Sequence, residues 1–426
     1  MEKRKRKKDW FFLYVLIGII LVALVITGCV WQVRKAARVR TEQTTQKVSK
    51  SKTHFYPPVR YTLRQLDKNY SHTPLSVKTN LNLNRNVISK NDPQLIDYVN
   101  KQLAKNEFIG TVTVIKNDSI VYQRGFGYAN RSINQNNTAA SAYQIASVQK
   151  GATAMLLMKL VQQGKVSLND PLSKYYPQIK NSQLVTLKQL MDMTSGAQNI
   201  KLPRKTMSSR KYVQWTAKHF KIKKKMIGCQ DYRPVNFVLL AGIVQSVSHK
   251  SYYKLFDEEI KRPLKLRNTF FYQQRNNYPQ ILTSGYNSRA GRWYQPFKES
   301  ESGFADQFGT GNLYMSNGDL YRMMSAFVTG KMLKPQYAQM MYSLEGVDSS
   351  YSAGVYHLDR DYMTPKLHQP RFAGYHFRGT EFGYETIGDI SKNGQNCVIL
   401  QTNNRNPRRP LNYHTDVNIY HYIMTH

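Results

Sequence analysis

Strand-forming runs lie near both ends of the chain, and the stretch between them reads mostly as helix. Phe108–Ile115 and Ile120–Gly127 flank Asn117-Asp118-Ser119, a hairpin-turn composition. Much later, Glu381–Ile390 and Asn396–Thr402 flank Lys392-Asn393-Gly394. Between them, apolar residues recur at helical spacing from Ser147 to about Gln163, where Gly164 is a stop signal, and again over Phe237–Ser248, Tyr252–Lys261 and Ser316–Thr329. Strand pairs this far apart in sequence bury their apolar faces economically only in one sheet. The pattern predicts an α/β (α+β) fold, an antiparallel sheet closed by the two chain ends, flanked by helices, with a mostly helical subdomain inserted. The regular fold is expected to open at Asn91-Asp92-Pro93, with Asp92 as a helix cap and Pro93 at the first helical position, and to close on a helix near 413–424.

The chain has 426 residues, 41% of them hydrophobic, enough for one large domain with further segments attached. Those segments are legible at the N-terminus. Residues 3–8 are all Lys or Arg, and the run 10–33 is mostly apolar and free of charge. About 20 helical residues cross a bilayer core, so this run is long enough to span one. The basic side of such a span stays in the cytoplasm. The expected organisation is a cytoplasmic basic tail (1–9), a transmembrane anchor (10–33), an extracellular linker (34–90) and a globular domain (91–426). The expected localisation is the cell membrane, single-pass, with the domain outside. Ile26-Thr27-Gly28-Cys29 resembles a bacterial lipoprotein cleavage box, a second route to the same side, and a secreted form is a third.

The net charge is +36, which attracts polyanions. A domain outside the cell excludes nucleic acid as the partner and favours an anionic cell-envelope polymer. Of the three cysteines, none forms a CxxC or Cys/His cluster, so no metal is expected. Cys229 and Cys397 leave two options open, a disulfide or two unpaired buried thiols.

Ser147-Val148-Gln149-Lys150 carries the chemistry. Residues three apart on a helix share a face, and the helix start lies at the positive end of its dipole. A serine hydroxyl needs a base to become a nucleophile, and a lysine whose pKa is lowered by its surroundings is one. Ser-x-x-Lys occurs four times, at Ser49, Ser147, Ser208 and Ser251. Only the copy at Ser147 stands between a strand pair and a long apolar helix, and by itself it also reads as an ordinary helix cap with a solvent lysine.

Tyr143-Gln144-Ile145-Ala146-Ser147-Val148-Gln149-Lys150 is similar to the F-x-I-A-S-x-x-K signature of class C β-lactamases, D,D-peptidases and related esterases. Leu168-Asn169-Asp170-Pro171-Leu172, Thr194-Ser195-Gly196, Pro263-Leu264 and Gly309–Leu320 resemble further family segments in the same order, so the likeness runs over about residues 90–405. It implies a β-lactamase/transpeptidase-like fold, no cofactor, and acyl transfer through Ser147 with Lys150 as base. Tyr232 matches the tyrosine that shuttles the proton. The motif's Asn is here Pro234, which can neither donate to nor accept from a substrate amide, while Asn236 matches the structural Asn that follows. The third motif, Lys-Thr-Gly or His-x-Gly, fits Gly374–Tyr384 imperfectly. His376 takes the His place and Arg378 stands where a Gly is usual, so His376, Arg378 and Gly379 are expected to bind substrate, Arg378 by pairing with an anionic group. The implied substrate is a D-alanyl group of the bacterial envelope, with the D-alanyl ester of teichoic acid preferred. The alternatives are peptidoglycan stems, as for a D,D-carboxypeptidase or endopeptidase, a β-lactam, or no reaction at all in a wall-binding protein on a hydrolase fold.

Overall fold

The structure is a computed structural model. It describes residues 81 and 83–426 apart from 204, 290–291, 298–299, 345–348, 361–371 and 406–414. In chain order the elements that matter are β1 (Val87–Ile88), α1 (Pro93–Lys105), β2 (Gly110–Lys116), β3 (Ser119–Phe126), α2 (Gln149–Gln162), β4 (Ser195–Ala197), α3 (Ser209–His219), β5 (Ile222–Ile227) and α4 (Val235–Ser248). They are followed by α5 (Asn317–Val328), β6 (Tyr351–Ser352), β7 (Val355–His357), β8 (Gly374–Glu381), β9 (Tyr384–Ser391), β10 (Cys397–Thr402) and α6 (Thr415–Thr425).

Eight strands form the central sheet in the order β1-β3-β2-β10-β9-β8-β7-β6, every neighbouring pair antiparallel. The N-terminal and C-terminal hairpins meet where Val114 faces Val398 and Val112 faces Leu400. Local signals start the helices. The Asp92 carboxylate accepts from the Leu95 N–H at 3.1 Å at the head of α1, and Ser316 caps α5. Gly164, at φ 71, closes α2.

Each face of the sheet has its own core. On one face Ile115, Phe377, Ile390 and Ile399 pack with α2, α4 and α5 in a large apolar cluster. On the other, Val112, Val114, Ile387, Val398 and Leu400 pack against Leu95, Val99 and Leu103 of α1 and Ile419, Tyr420 and Ile423 of α6. Residues just before the expected boundary at 91 also belong to the fold. Val87 pairs with Gln123, and the Asn84 amide donates to Asp319 at 3.1 Å. Cys229 and Cys397 are both free thiols, Cys397 buried in β10.

The expected membrane placement is corrected. Among the described residues no helix is long and apolar enough to cross a membrane. The run 10–33, with the lipoprotein-like box inside it, lies outside the described residues. The single-pass localisation has no structural support and is withdrawn.

Candidate active site

Ser147 lies in a 3₁₀ turn, Ala146–Val148, that leads into α2. Ala146 before it holds φ at 44°, a left-handed conformation that costs a residue with a Cβ about 1 kcal/mol or more. The surroundings hold it there. Gln144 Nε2 donates to the Gly311 carbonyl at 2.7 Å, the Ile145 N–H to Leu313 O at 2.9 Å, and Gln149 Nε2 to Asn312 Oδ1 at 3.1 Å. The 311–313 segment thus braces the turn from the side.

Lys150 is fully buried. Its Nζ donates to Ser147 Oγ at 2.8 Å and makes a 3.5 Å contact with the Thr310 carbonyl. The Tyr232 ring lies over the same amine, with its centroid 5.2 Å from Nζ. Tyr351 packs edge-on against Tyr232 at 5.6 Å and is itself fully buried. Ser147, Lys150 and Tyr232, far apart in the chain, are therefore brought together. Pro234 opens α4, and the Asn236 side chain accepts from Ser195 Oγ at 2.8 Å within the core, so Asn236 is spent on holding β4.

β8 forms the wall opposite. Gly379 lies so close to the Ser147 turn that a Cβ there would meet the Ile145 carbonyl at 2.0 Å and the Ser147 nitrogen at 2.8 Å. Only glycine fits, and the backbone of β8 lies directly beside the Ser147 nitrogen.

His376 and Arg378 are not part of this wall. Side chains alternate along a strand, and Gly379 faces Ser147, so residues 376 and 378 point to the other face of the sheet. His376 Nδ1 lies 2.8 Å from Asp389 Oδ1, opposite it on β9, and 3.8 Å from Asp416 at the start of α6. Arg378 donates to buried Glu385 at 3.1 Å. The ligand atoms of His376, Asp389 and Asp416 lie within 4.8 Å of one another, a set that has the reach to hold a cation. Burial and the neighbouring Asp389 push the Asp416 carboxyl well above the usual range.

Three further groups at the site carry no motif signal of their own. The Thr310 carbonyl lies in a stretch noted for its family likeness but without a role. Tyr351 has no sequence signal. Glu381 shares the Gly379 face of β8. Burial raises its carboxyl, and Arg405 and Lys150 pull it back down.

Fold and cleft together define a serine hydrolase, with a serine and a buried lysine in contact at the head of one helix and a strand edge opposite. The Beta-lactamase family profile matches residues 95–384, and the chain belongs to that family. Among curated relatives, the putative penicillin-binding protein PbpX of Bacillus subtilis is 28% identical over 312 residues, 72% of this chain and 74% of that protein. A teichoic acid D-alanine hydrolase of Staphylococcus aureus is 30% identical over 260 residues, 59% of this chain and 62% of that protein. The crystal structure of FmtA from Staphylococcus aureus superimposes with a TM-score of 0.68 at 24% identity, covering 80% of this chain and 91% of its own. D-amino acid amidase from Ochrobactrum anthropi gives 0.63 at 16%, covering 78% and 98%.

Proposed function

We propose that the protein removes D-alanyl groups from a bacterial envelope polymer, and that the bond it cleaves is the D-alanyl ester of teichoic acid. Ser147 is the nucleophile, Lys150 the base and Tyr232 the proton shuttle. The observation that carries the mechanism is the 2.8 Å contact between Lys150 Nζ and Ser147 Oγ in a buried setting. Lys150 takes the hydroxyl proton as Oγ attacks the ester carbonyl. The oxyanion is held by the Ser147 N–H and the facing backbone of β8. The C–O bond to the polymer then breaks, Tyr232 delivers the proton to the leaving alkoxide, and D-alanine stays esterified to Ser147. Water, deprotonated by the same pair, releases D-alanine and restores the serine.

The teichoic acid preference has two supports. One relative carries that activity in its name. Pro234 also leaves the position beside Tyr232 without the amide that would pair with a peptide substrate. The peptidoglycan reading is favoured by the relative named as a penicillin-binding protein.

The test incubates the protein with D-alanylated teichoic acid and, separately, with muropeptides, and measures free D-alanine. Release from the polymer alone is expected, and release from muropeptides alone would reverse the assignment. Ser147→Ala and Lys150→Ala should each lower release by at least about 10³-fold with the fold intact, because the two residues act as a unit. Covalent labelling of Ser147→Ala by a fluorophosphonate at the wild-type rate would refute the mechanism.

A further inference from the structure

The positive charge is not spread evenly. Residues 201–225 contain ten Lys and Arg residues and no Asp or Glu. They form α3 and β5 with the segments that lead into them. β5 is paired only with β4, and its three central residues, Lys223, Lys224 and Lys225, are all exposed. Lys211 and Lys218 on α3 and Lys221 in the connecting turn are exposed as well. Among the described residues none of these six lysines forms an ion pair. Elsewhere the surface lysines of helices are often balanced, as Lys101 is by Asp97 and Lys254 by Glu258. Here like charges crowd without compensation, which raises the local potential and costs self-repulsion.

The patch also has a place relative to the site. β5 runs into a short loop in which the Gly228 N–H donates to Thr194 O and the Asp231 N–H to Met193 O, both at 2.8 Å. The next residue is Tyr232, whose ring covers Lys150. The basic strand is therefore the arm that holds one side of the cleft. The aromatic rings in the patch are already engaged, since Trp215 stacks with Tyr212 at 6.5 Å and with His219 at 4.1 Å. Surfaces that bind single-stranded nucleic acid offer ring faces to bases, whereas this one offers charge.

We infer that the α3–β5 surface docks the phosphodiester backbone of the polymer whose D-alanyl esters are cleaved at Ser147. This rests on the proposed function, which it deepens. The patch binds repeating phosphates by long-range attraction and holds the chain beside Tyr232, so that successive ester groups reach the serine without full dissociation.

The test compares two full-length variants of equal charge change. One carries Lys221→Gln, Lys223→Gln, Lys224→Gln and Lys225→Gln. The other carries Lys105→Gln, Lys165→Gln, Lys331→Gln and Lys334→Gln, all exposed residues outside the patch. Binding to D-alanine-free poly(glycerol phosphate) and D-alanine release from the alanylated polymer are measured separately. The patch variant should bind about tenfold more weakly at physiological salt, with a shallower salt dependence. Its KM on the polymer should rise likewise, while its rate on a small D-alanyl ester stays unchanged and the control variant resembles wild type. Equal binding by the two variants overturns the proposal, as does preference of the wild type for single-stranded DNA or phosphatidylglycerol vesicles over the polymer. If the polymer binds through the patch but no D-alanine is released from it, the substrate assignment fails and the docking surface stands.

Discussion

Along β8, neighbouring residues serve two different environments. Gly379 and Glu381 face the cleft at Ser147, while His376 and Arg378 face the layer under α1 and α6, paired with Asp389 and Glu385. The cleft face is narrow and depends on the absence of a side chain. The far face carries polar and charged side chains hydrogen-bonded to one another. The strand thus positions the chemistry through its backbone on one side and is itself held in place by side-chain hydrogen bonds on the other. Substitutions on the two faces should fail in different ways.

The largest effect is expected at Gly379. In Gly379→Ala the new Cβ would have to displace the Ile145 carbonyl it meets at 2.0 Å, and with it the Ser147 turn. Loss of oxyanion geometry typically costs about 10²–10³ in kcat, and hydrolysis of a small D-alanyl ester should fall by that order with secondary structure retained. Wild-type kcat in this variant would show that β8 does not wall the reacting centre.

On the far face the expected failure is in stability. Asp389→Ala removes the buried carboxylate that holds His376 Nδ1 at 2.8 Å across the β8–β9 pairing. Breaking a buried pair costs about 3–5 kcal/mol, which denaturant unfolding will read, while KM in the surviving folded fraction stays unchanged. A selective rise in KM without loss of stability would restore His376 to the substrate side.

A smaller contrast separates Glu381 from Arg378. Glu381 lies within electrostatic reach of Lys150 and is the acid on the cleft face of β8. A D-alanyl ester carries a free ammonium, so Glu381→Gln should raise its KM about tenfold, the scale of one charge-assisted hydrogen bond. An N-acetylated analogue should be unaffected. Arg378→Gln should change neither KM and should cost about 1–2 kcal/mol of stability by leaving Glu385 unpaired.

The same contrast explains what could be read from the sequence. The cap at Asp92, the N-terminal hairpin and the helix after Ser147 follow from short-range signals with fixed geometry, whereas the Ser147–Lys150 pair stands out only through its family likeness and the pairing of first and last strands only through the helical stretch between them. The third motif could not be read in the same way. A strand's period is two, so a frame error of one residue exchanges the faces. The motif is imperfect here, and only the contact of Gly379 with the Ser147 turn sets the frame. The expected strand Glu381–Ile390 also ran across a turn. Phe382 at φ 48 and Gly383 at φ 85 separate β8 from β9, and the signal was a single glycine after a bulky residue. In Tyr252–Lys261 the α-helix gives way at Asp257 to a π-helical turn, which leaves no mark in apolar periodicity. Tyr351 and Thr310 enter the site through tertiary packing alone.

The smallest effect concerns a buried acid away from β8 in the sequence. The far face holds Asp389 against His376, whereas Asp306, close in sequence to the Gly311 brace, has no ion-pair partner among the described residues. Burial alone pushes its carboxyl up to about 6 from 3.8. Well below pH 4 the group is protonated both folded and unfolded and carries no penalty. As pH rises from about 4 to about 6, the unfolded chain ionises freely and the folded one resists, so stability is lost over that window and stays lost above it. Asp306→Asn removes the penalty. Its melting temperature should exceed that of the wild type by a few degrees at pH 7 and match it at pH 4. The substitution Asp389→Asn should show no such gain at pH 7, because that carboxylate is hydrogen-bonded to the His376 ring at 2.8 Å. If Asp306→Asn is equally stabilising at both pH values, ionisation is not the cause, and the comparison between a paired and an unpaired buried acid fails.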